Sequence, residues 1–424
     1  MKSKLLKNDT LSNITSLGAA TLTNALLSFL IGVLTRNILG PEQYGYWVSV
    51  TLIFTFTPLF HLGTLNAMNR QVPFFLARND LKKVQEIRES VFSFLFTVPI
   101  YIIVLLLFTS IFMSFSDIPN EYKSGLFLVT VIVFFSYLSN YVEMYFKSQQ
   151  DFKKTSKLVS IRSITQSVLT LSFVVWFGYL GMYLGMLLAL IIQVFIARKV
   201  IPFKRKKGNS SNFKELIKVG FPILLVGIVW GITIASDRFI ITIFMTPQDL
   251  GNYSVGMFVF STVMLFPQVL DQIFYPEIVS LVSKNKVIEV KKLYFKVNKI
   301  LALIMLGIVI CGYFLLPYFI KWYMPEYNEG IKTAQILLFG VYPLTLVGIA
   351  ANYFNSTDNQ KVYVSIQLFC ILLNVILSIV FLHYVYSISS VALATSISFF
   401  IYCILMNIVF LIKIRKQINS EKIS

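Results

Sequence analysis

The chain has 424 residues, 56% hydrophobic and only 13% charged, with a mean hydropathy of +0.74. A soluble domain carries about a quarter of its residues as Asp, Glu, Lys and Arg, so a soluble globular enzyme, a disordered chain and a disulfide scaffold are excluded. What remains is a polytopic membrane protein, in which a formal charge of +18 marks basic loops facing a cytoplasm and no nucleic-acid partner.

Crossing a bilayer core of about 30 Å takes about 20 apolar residues in a helix. Windows of that length predict twelve transmembrane helices, at 12–36, 45–69, 90–114, 124–146, 158–177, 179–201, 217–245, 251–275, 297–320, 331–354, 361–384 and 388–412. The apolar stretch after the basic residues 1–9 is too long for a signal-peptide core, so the first span is expected to stay. With the N-terminus inside, nearly all of the 37 Lys and Arg fall in inner segments. Only Arg36, Lys123, Lys321 and Lys332 fall on the outer side, and Arg238 lies within a span. That asymmetry predicts both termini in the cytoplasm.

The halves of the chain match each other. Pro41, Gly45 and Trp47 correspond to Pro247, Gly251 and Tyr253 at an offset of 206, as do Ala77-Arg-Asn79 and Ser283-Lys-Asn285. Tyr145-Phe-Lys-Ser148 and Lys153 correspond to Tyr353-Phe-Asn-Ser356 and Lys361 at 208. Six spans per half is an even number, which makes the repeats parallel. The expected organisation is an N-lobe at 1–203, a basic cytoplasmic linker at 204–215, and a C-lobe with a cytoplasmic tail at 216–424. Two six-helix lobes with a cleft between them suit alternating access; a static scaffold is the alternative.

Ionisable groups inside spans cost several kcal/mol, so they usually face partner helices or a wet cavity. Here they are Arg36, Arg70, Glu143, Arg162, Asp237, Arg238 and Asp271. Arg36 and Arg238 are candidates for an anionic ligand, since a guanidinium grips phosphate bidentately. Alternatively Arg36 snorkels to the interface and Arg238 is neutralised within the bundle. Neighbours on a helix point about 100° apart, so Asp237 is not expected simply to cancel Arg238. It is either the coupling carboxylate for H+ or Na+ or a partner for a nearby cation. Arg70 and Asp271 either pair as an inner gate or have separate partners, and Glu143 and Arg162 are expected to pair with loop lysines. Gly181-x-x-x-Gly185 and Gly227-x-x-x-Gly231 read as packing signals. Pro58, Pro222, Pro267 and Pro343 permit bends.

No G-x-x-x-x-G-K-[ST] loop is present, and His61, His383, Cys311, Cys370 and Cys403 lack metal-ligand spacing. No cofactor and no metal are expected. The outer loops are too short for a catalytic domain.

Arg36-Asn-Ile-Leu-Gly-Pro-Glu-Gln-Tyr-Gly45 resembles the R-x-x-L-G-P-E-x-Y-G element of bacterial polysaccharide transporters. The resemblance continues through Gly63…Arg70, Tyr145-Phe…Gln150…Lys153, Asp237-Arg238, Gly251-x-Tyr253 and Pro276-Glu277. Over nearly its whole length the chain resembles Wzx-type flippases, for O-antigen, capsule or exopolysaccharide repeat units, of the multidrug/oligosaccharidyl-lipid/polysaccharide exporter superfamily. This resemblance implies an all-α, MATE-like V of two lobes in the bacterial cytoplasmic membrane. The implied activity is export of an undecaprenyl-diphosphate-linked oligosaccharide, without catalysis, with polysaccharide polymerase machinery as a further partner. Carried over by helix position, Arg36, Arg70 and Arg238 become the residues that contact diphosphate or acidic sugar. The competing readings are a cation-coupled multidrug exporter of the same superfamily and, from another class, a membrane glycosyltransferase or polymerase.

Overall fold

In hydrocarbon every backbone N–H and C=O must be paired inside the protein, and a helix does this within one segment. The computed structural model describes residues 2–201, 210–357 and 359–421, with side chains over 27–201, 212–271, 273–357 and 359–419. Its described residues form no strand. The helices are α1 Lys2–Thr51, α2 Thr64–Ala77, α3 Leu81–Leu95, α4 Val98–Ser114, α5 Asn120–Lys147, α6 Phe152–Phe177, α7 Tyr179–Arg198, α8 Ser210–Thr233 and α9 Ser236–Phe244. They continue with α10 Pro247–Ser283, α11 Val287–Tyr323, α12 Gly330–Thr345, α13 Gly348–Ser356, α14 Gln360–Tyr384 and α15 Ile388–Glu421.

Among the described residues nine helical stretches are long and apolar enough to cross a membrane, and two bent pairs raise the number to eleven. This makes the chain a multi-pass membrane protein. The twelve expected spans are not all separate here. The first two share α1, whose helical course is interrupted only at Gly40 (φ 70, ψ 173), just before Pro41. A positive φ suits glycine, and Pro41 then opens the next helical run with its φ already fixed. The expected seventh span, 217–245, is broken between α8 and α9.

The chain divides into two compact units, Met1–Leu39 with Tyr46–Ile228, and Gly40–Gly45 with Val229–Ser424. Of the expected linker, 204–209 lies outside the described residues, whereas 210–215 is already the start of α8. There Asn212 Nδ2 donates to Glu86 Oε1 at 2.8 Å, and the ring of Phe213 meets that of Phe94 edge-on at 5.2 Å. These contacts fasten the segment to α3.

In the first unit α6 and α7 form a hairpin around Gly178. A Cβ on Gly181 would stand 2.3 Å from the backbone of Phe173, and one on Gly185 2.4 Å from Thr170 Cα, so these small residues let the helices approach closely. Gly227, expected to do the same, faces open space. On α4 the exposed residues Val104, Leu105, Phe108, Ile111, Phe112 and Phe115 recur at intervals of three and four. Such a stripe is the surface offered to lipid.

In the second unit α12 packs against α10, α11 and α15, and α14 packs along α15. The repeat is visible in the backbone. Asn79 and Asn285, 206 residues apart, both take the left-handed conformation (φ 55 and φ 53). Asp80 N–H donates to Phe75 O at 3.0 Å and Lys286 N–H to Leu281 O at 2.9 Å. Both helices, α2 and α10, thus end in the same six-residue closure with asparagine at its left-handed position.

Candidate functional site

Helix α8 stops where β-branched residues follow one another, Ile232-Thr-Ile234, and where hydroxyls compete for main-chain partners. Thr233 Oγ1 donates to Val229 O at 2.8 Å, and Ser236 Oγ to Thr233 O at 3.3 Å. The Ala235 N–H turns back to Ile232 O, and α9 begins one residue later. Asp237 therefore stands in the first turn of a new helix, where a carboxylate is favoured.

Asp237 is 2% exposed. Its Oδ1 accepts the Arg238 main-chain N–H at 2.7 Å, and its Oδ2 accepts the hydroxyl of Tyr253 from α10. Arg238 Nε lies 3.8 Å from Oδ1, so the adjacent charges do form an ion pair. The expectation that Asp237 would not simply cancel Arg238 is corrected here: in the first turn of α9 the carboxylate folds back over its neighbour, accepting the Arg238 main-chain N–H and lying beside its Nε. Such a pair interacts by about 4 kcal/mol at an effective dielectric of 20, which offsets part of the cost of burying the carboxylate. Beside it, Ser236 Oγ donates to Asn374 Oδ1 at 2.9 Å, and Asn374 Nδ2 to Thr395 Oγ1 at 3.1 Å. Ser378 Oγ, one turn further along α14, is buried without a partner. Helices α9, α10, α14 and α15 thus bring a carboxylate and oxygens of hydroxyl and amide groups into one dry neighbourhood of the second unit.

Arg238 Nη2 donates to Ile234 O at 2.8 Å, occupying a carbonyl that the break leaves without a helical donor. Arg36, within the regular course of α1 in the first unit, also holds a main-chain carbonyl, with Nη1 on Gly32 O at 2.8 Å. Although placed near a span end, Arg36 is only 5% exposed, so it does not snorkel to solvent. Arg70 is exposed on α2, in the first unit, and Asp271 is half-buried on α10, in the second.

Glu143 and Arg162 pair with each other at 2.7 Å, not with loop lysines. Arg162 Nη1 also donates to Ser139 Oγ at 3.1 Å, and Gln193 Nε2 to Glu143 Oε1 at 3.2 Å. The three helices α5, α6 and α7 are tied by this network, which satisfies the charges inside the unit. His61 is buried, and its Nδ1 accepts the Gly63 N–H at 3.1 Å, a turn-closing role. No group of three or more His, Cys, Asp and Glu able to hold a metal occurs among the described residues.

Sequence reasoning found Asp237 and Arg238 by their charge but missed that Ser236, Tyr253 and Thr395 gather beside them. Their signal was a set of polar side chains facing the same way in otherwise apolar helices, and only the tertiary fold shows that they converge.

The family described as polysaccharide biosynthesis protein matches residues 10–275. The chain belongs to this family. No curated protein matches its sequence. Among solved structures, an inward-facing multidrug resistance MATE family transporter of the MOP superfamily is similar at a TM-score of 0.81 and 13% identity, over 94% of this chain and 96% of that one. The lipid II flippase MurJ, in an inward closed conformation, is similar at 0.75 and 17% identity, over 94% and 87%. A MOP superfamily transporter from Pyrococcus furiosus, described as having a binding pocket of reversed polarity, is similar at 0.68 and 12%, over 96% of both chains. These likenesses establish an all-helical fold shared with those structures, as the Wzx-type resemblance implied.

Proposed function

We propose that this membrane transporter flips a polyprenyl-diphosphate-linked oligosaccharide across the bacterial cytoplasmic membrane by alternating access, with both termini in the cytoplasm. The observation that carries the reading is the polysaccharide biosynthesis family match on a chain whose apolar helices hold Arg36 buried and Arg238 half-buried. A diphosphate and a sugar head group do not cross hydrocarbon unaided, because each unpaired polar group costs several kcal/mol. Each guanidinium holds a main-chain carbonyl, a bond that it can exchange for phosphate oxygens, which bind it more strongly.

In this proposal Arg36, Arg70 and Arg238 contact the diphosphate or an acidic sugar. Asp237 takes the coupling H+ or Na+, and Arg70 with Asp271 forms the inner gate. An anion moving outward travels with an inside-negative potential, worth about 2.3 kcal/mol per charge per 100 mV. The ion coupling adds to that drive. Polysaccharide polymerase machinery would receive the product.

The decisive experiment is flipping of a fluorescent polyprenyl-diphosphate oligosaccharide in proteoliposomes. Protein-dependent flipping supports the reading. Its absence, together with efflux of cationic dyes from the same vesicles, would replace the flippase by a multidrug exporter. New glycosidic bonds would replace it by an enzyme.

A further inference from the structure

One cavity of the second unit lies beside a helix break, a helix bend and a proline. Helix α10 carries Pro267 one turn before Asp271. Helices α12 and α13 meet at a 45° bend, and Trp230 lies on the last turn of α8 before the break. The cavity between them measures about 350 Å³ and is lined by Trp230, Gln268, Asp271, Asn352, Tyr363 and Tyr402 among others. Among the described residues no lysine or arginine contributes to its wall.

One of these groups lacks a counterpart. Tyr402 is 1% exposed and its hydroxyl is shared with Tyr363 and Gln367 of α14, whereas the buried Asn352 Nδ2 has no hydrogen-bond partner. Buried polar atoms normally find partners, so an unfilled amide in the wall of a cavity that also holds a carboxylate points to a ligand that supplies an acceptor beside a donor. The carboxylate of Asp271 has its seat at the first residue of α13, where a Cβ on Gly348 would stand 2.0 Å from Oδ1. Glycine there leaves the carboxylate room beside the cavity.

A ligand fitting this wall needs hydroxyls to donate to a carboxylate, acceptors for an amide N–H, and an apolar face for the Trp230 and Tyr402 rings, whose centroids are 6.5 Å apart. A pyranose ring offers all three. A lipophilic drug cation would satisfy Asp271 but leave the Asn352 amide unpaired, which such sites penalise heavily. The volume lies at the small end of ligand pockets, about 300–1,000 Å³, enough for one ring and too little for a repeat unit. With the inner gate open and Asp271 released from Arg70, a uronic acid would bring a second carboxyl group beside a wall that itself holds no lysine or arginine, and its desolvation would go uncompensated.

We propose that the Asp271 cavity is a sugar subsite that admits a neutral or amino sugar of the transported head group and turns away an acidic one. This rests on the flippase reading above and deepens it.

The test is saturation-transfer NMR on the full chain in lipid nanodiscs, since maltoside detergents would compete. The probes are methyl glucoside, glucosamine and glucuronate at millimolar concentration. Transfer to the first two and none to glucuronate is expected, with at least a fivefold loss in Asp271→Ala and in Asn352→Ala. Asp271→Asn is expected to admit glucuronate. Should Asp271→Ala fail to fold, Asn352→Ala and Gln268→Ala decide. Equal transfer in wild type and these variants, or glucuronate binding as well as glucosamine, overturns the subsite. So does binding of tetraphenylphosphonium that depends on Asp271 where no sugar binds. Wild-type flipping in proteoliposomes separates the two readings. If the protein flips but its sugar signals ignore the substitutions, the subsite alone falls; if it does not flip, the function falls.

Discussion

Gly45 and Gly251, 206 residues apart, sit on each other's helix start. A Cβ on Gly45 would stand 1.7 Å from Pro247 O, and one on Gly251 1.8 Å from Pro41 O. The same Pro-x-x-x-Gly element from each half of the sequence therefore meets its counterpart reciprocally inside the second unit. Backbone is what each methyl would strike, so no side chain can swing aside. Gly45→Ala and Gly251→Ala are each expected to destabilise the protein by about 1–3 kcal/mol or more, read as a lowered melting temperature in nanodiscs. Because both report on one contact, the double variant should cost less than the sum. Strict additivity would show that the contact is not shared.

Arg238→Ala and Arg36→Ala test the anion contacts. A hydrogen bond to a charged group is worth about 1.5–3 kcal/mol, so each substitution is expected to slow flipping of the diphosphate-linked substrate roughly ten- to a hundredfold. Lysine at either position should recover only part of the loss, because it cannot hold phosphate bidentately. Unchanged rates would remove these residues from the site.

Asp237→Asn keeps the size of the side chain and removes its charge. If Asp237 binds the coupling ion, flipping driven by an imposed Na+ or pH gradient should lose its dependence on that gradient, while flipping driven by membrane potential persists. A gradient response equal to wild type would return Asp237 to a purely structural role as partner of Arg238 and Tyr253.

Asp151 caps α6, its Oδ1 accepting the Lys154 N–H at 3.2 Å, and pairs with Lys154 Nζ at 2.9 Å. The hydrogen bond from the Lys154 side chain holds its carboxyl below the usual carboxylate range. A depressed value in the folded state gives stability that is present above the unfolded pKa, near 4, and lost as pH falls through the folded one. Melting temperature should therefore drop below about pH 4, and Asp151→Asn should flatten that part of the drop. Asp151→Ala is expected to cost about 1 kcal/mol at neutral pH, the usual worth of such a cap. An identical acid limb in Asp151→Asn would assign it to other carboxylates.

The parts of this fold that follow from local chemistry are legible in the sequence. Long apolar windows become helices, Asn79 and Asn285 supply left-handed closures, and Gly181 and Gly185 mark a close helix pair. The break before Asp237 is not legible, because Ile232, Thr233 and Ile234 read as a continuous apolar span. It arises from hydroxyls that bond backward along the chain, together with partners on α10, α14 and α15. For the same reason the charges stood out and their partners did not. The identity of Tyr253 as the donor to Asp237, or of Glu143 as the partner of Arg162, is set by which helices become neighbours, and spacing along one helix carries no such information. The Asp271 cavity left a fainter trace in the pairs Gln268 with Asp271 and Asn352 with Asn355, each spaced to share a helix face.

Helix α9 has only nine residues, too few to persist as a helix without tertiary support. Its position is fixed by what its first turn holds, namely the Tyr253 hydroxyl on Asp237 and the Asn374 amide on Ser236. The guanidinium of Arg238 rides on that same turn. Under the proposed ion coupling, whatever occupies the carboxylate would set where the Arg238 cation stands, so a single bound ion or proton would be converted into the displacement of one helical turn without unfolding anything else.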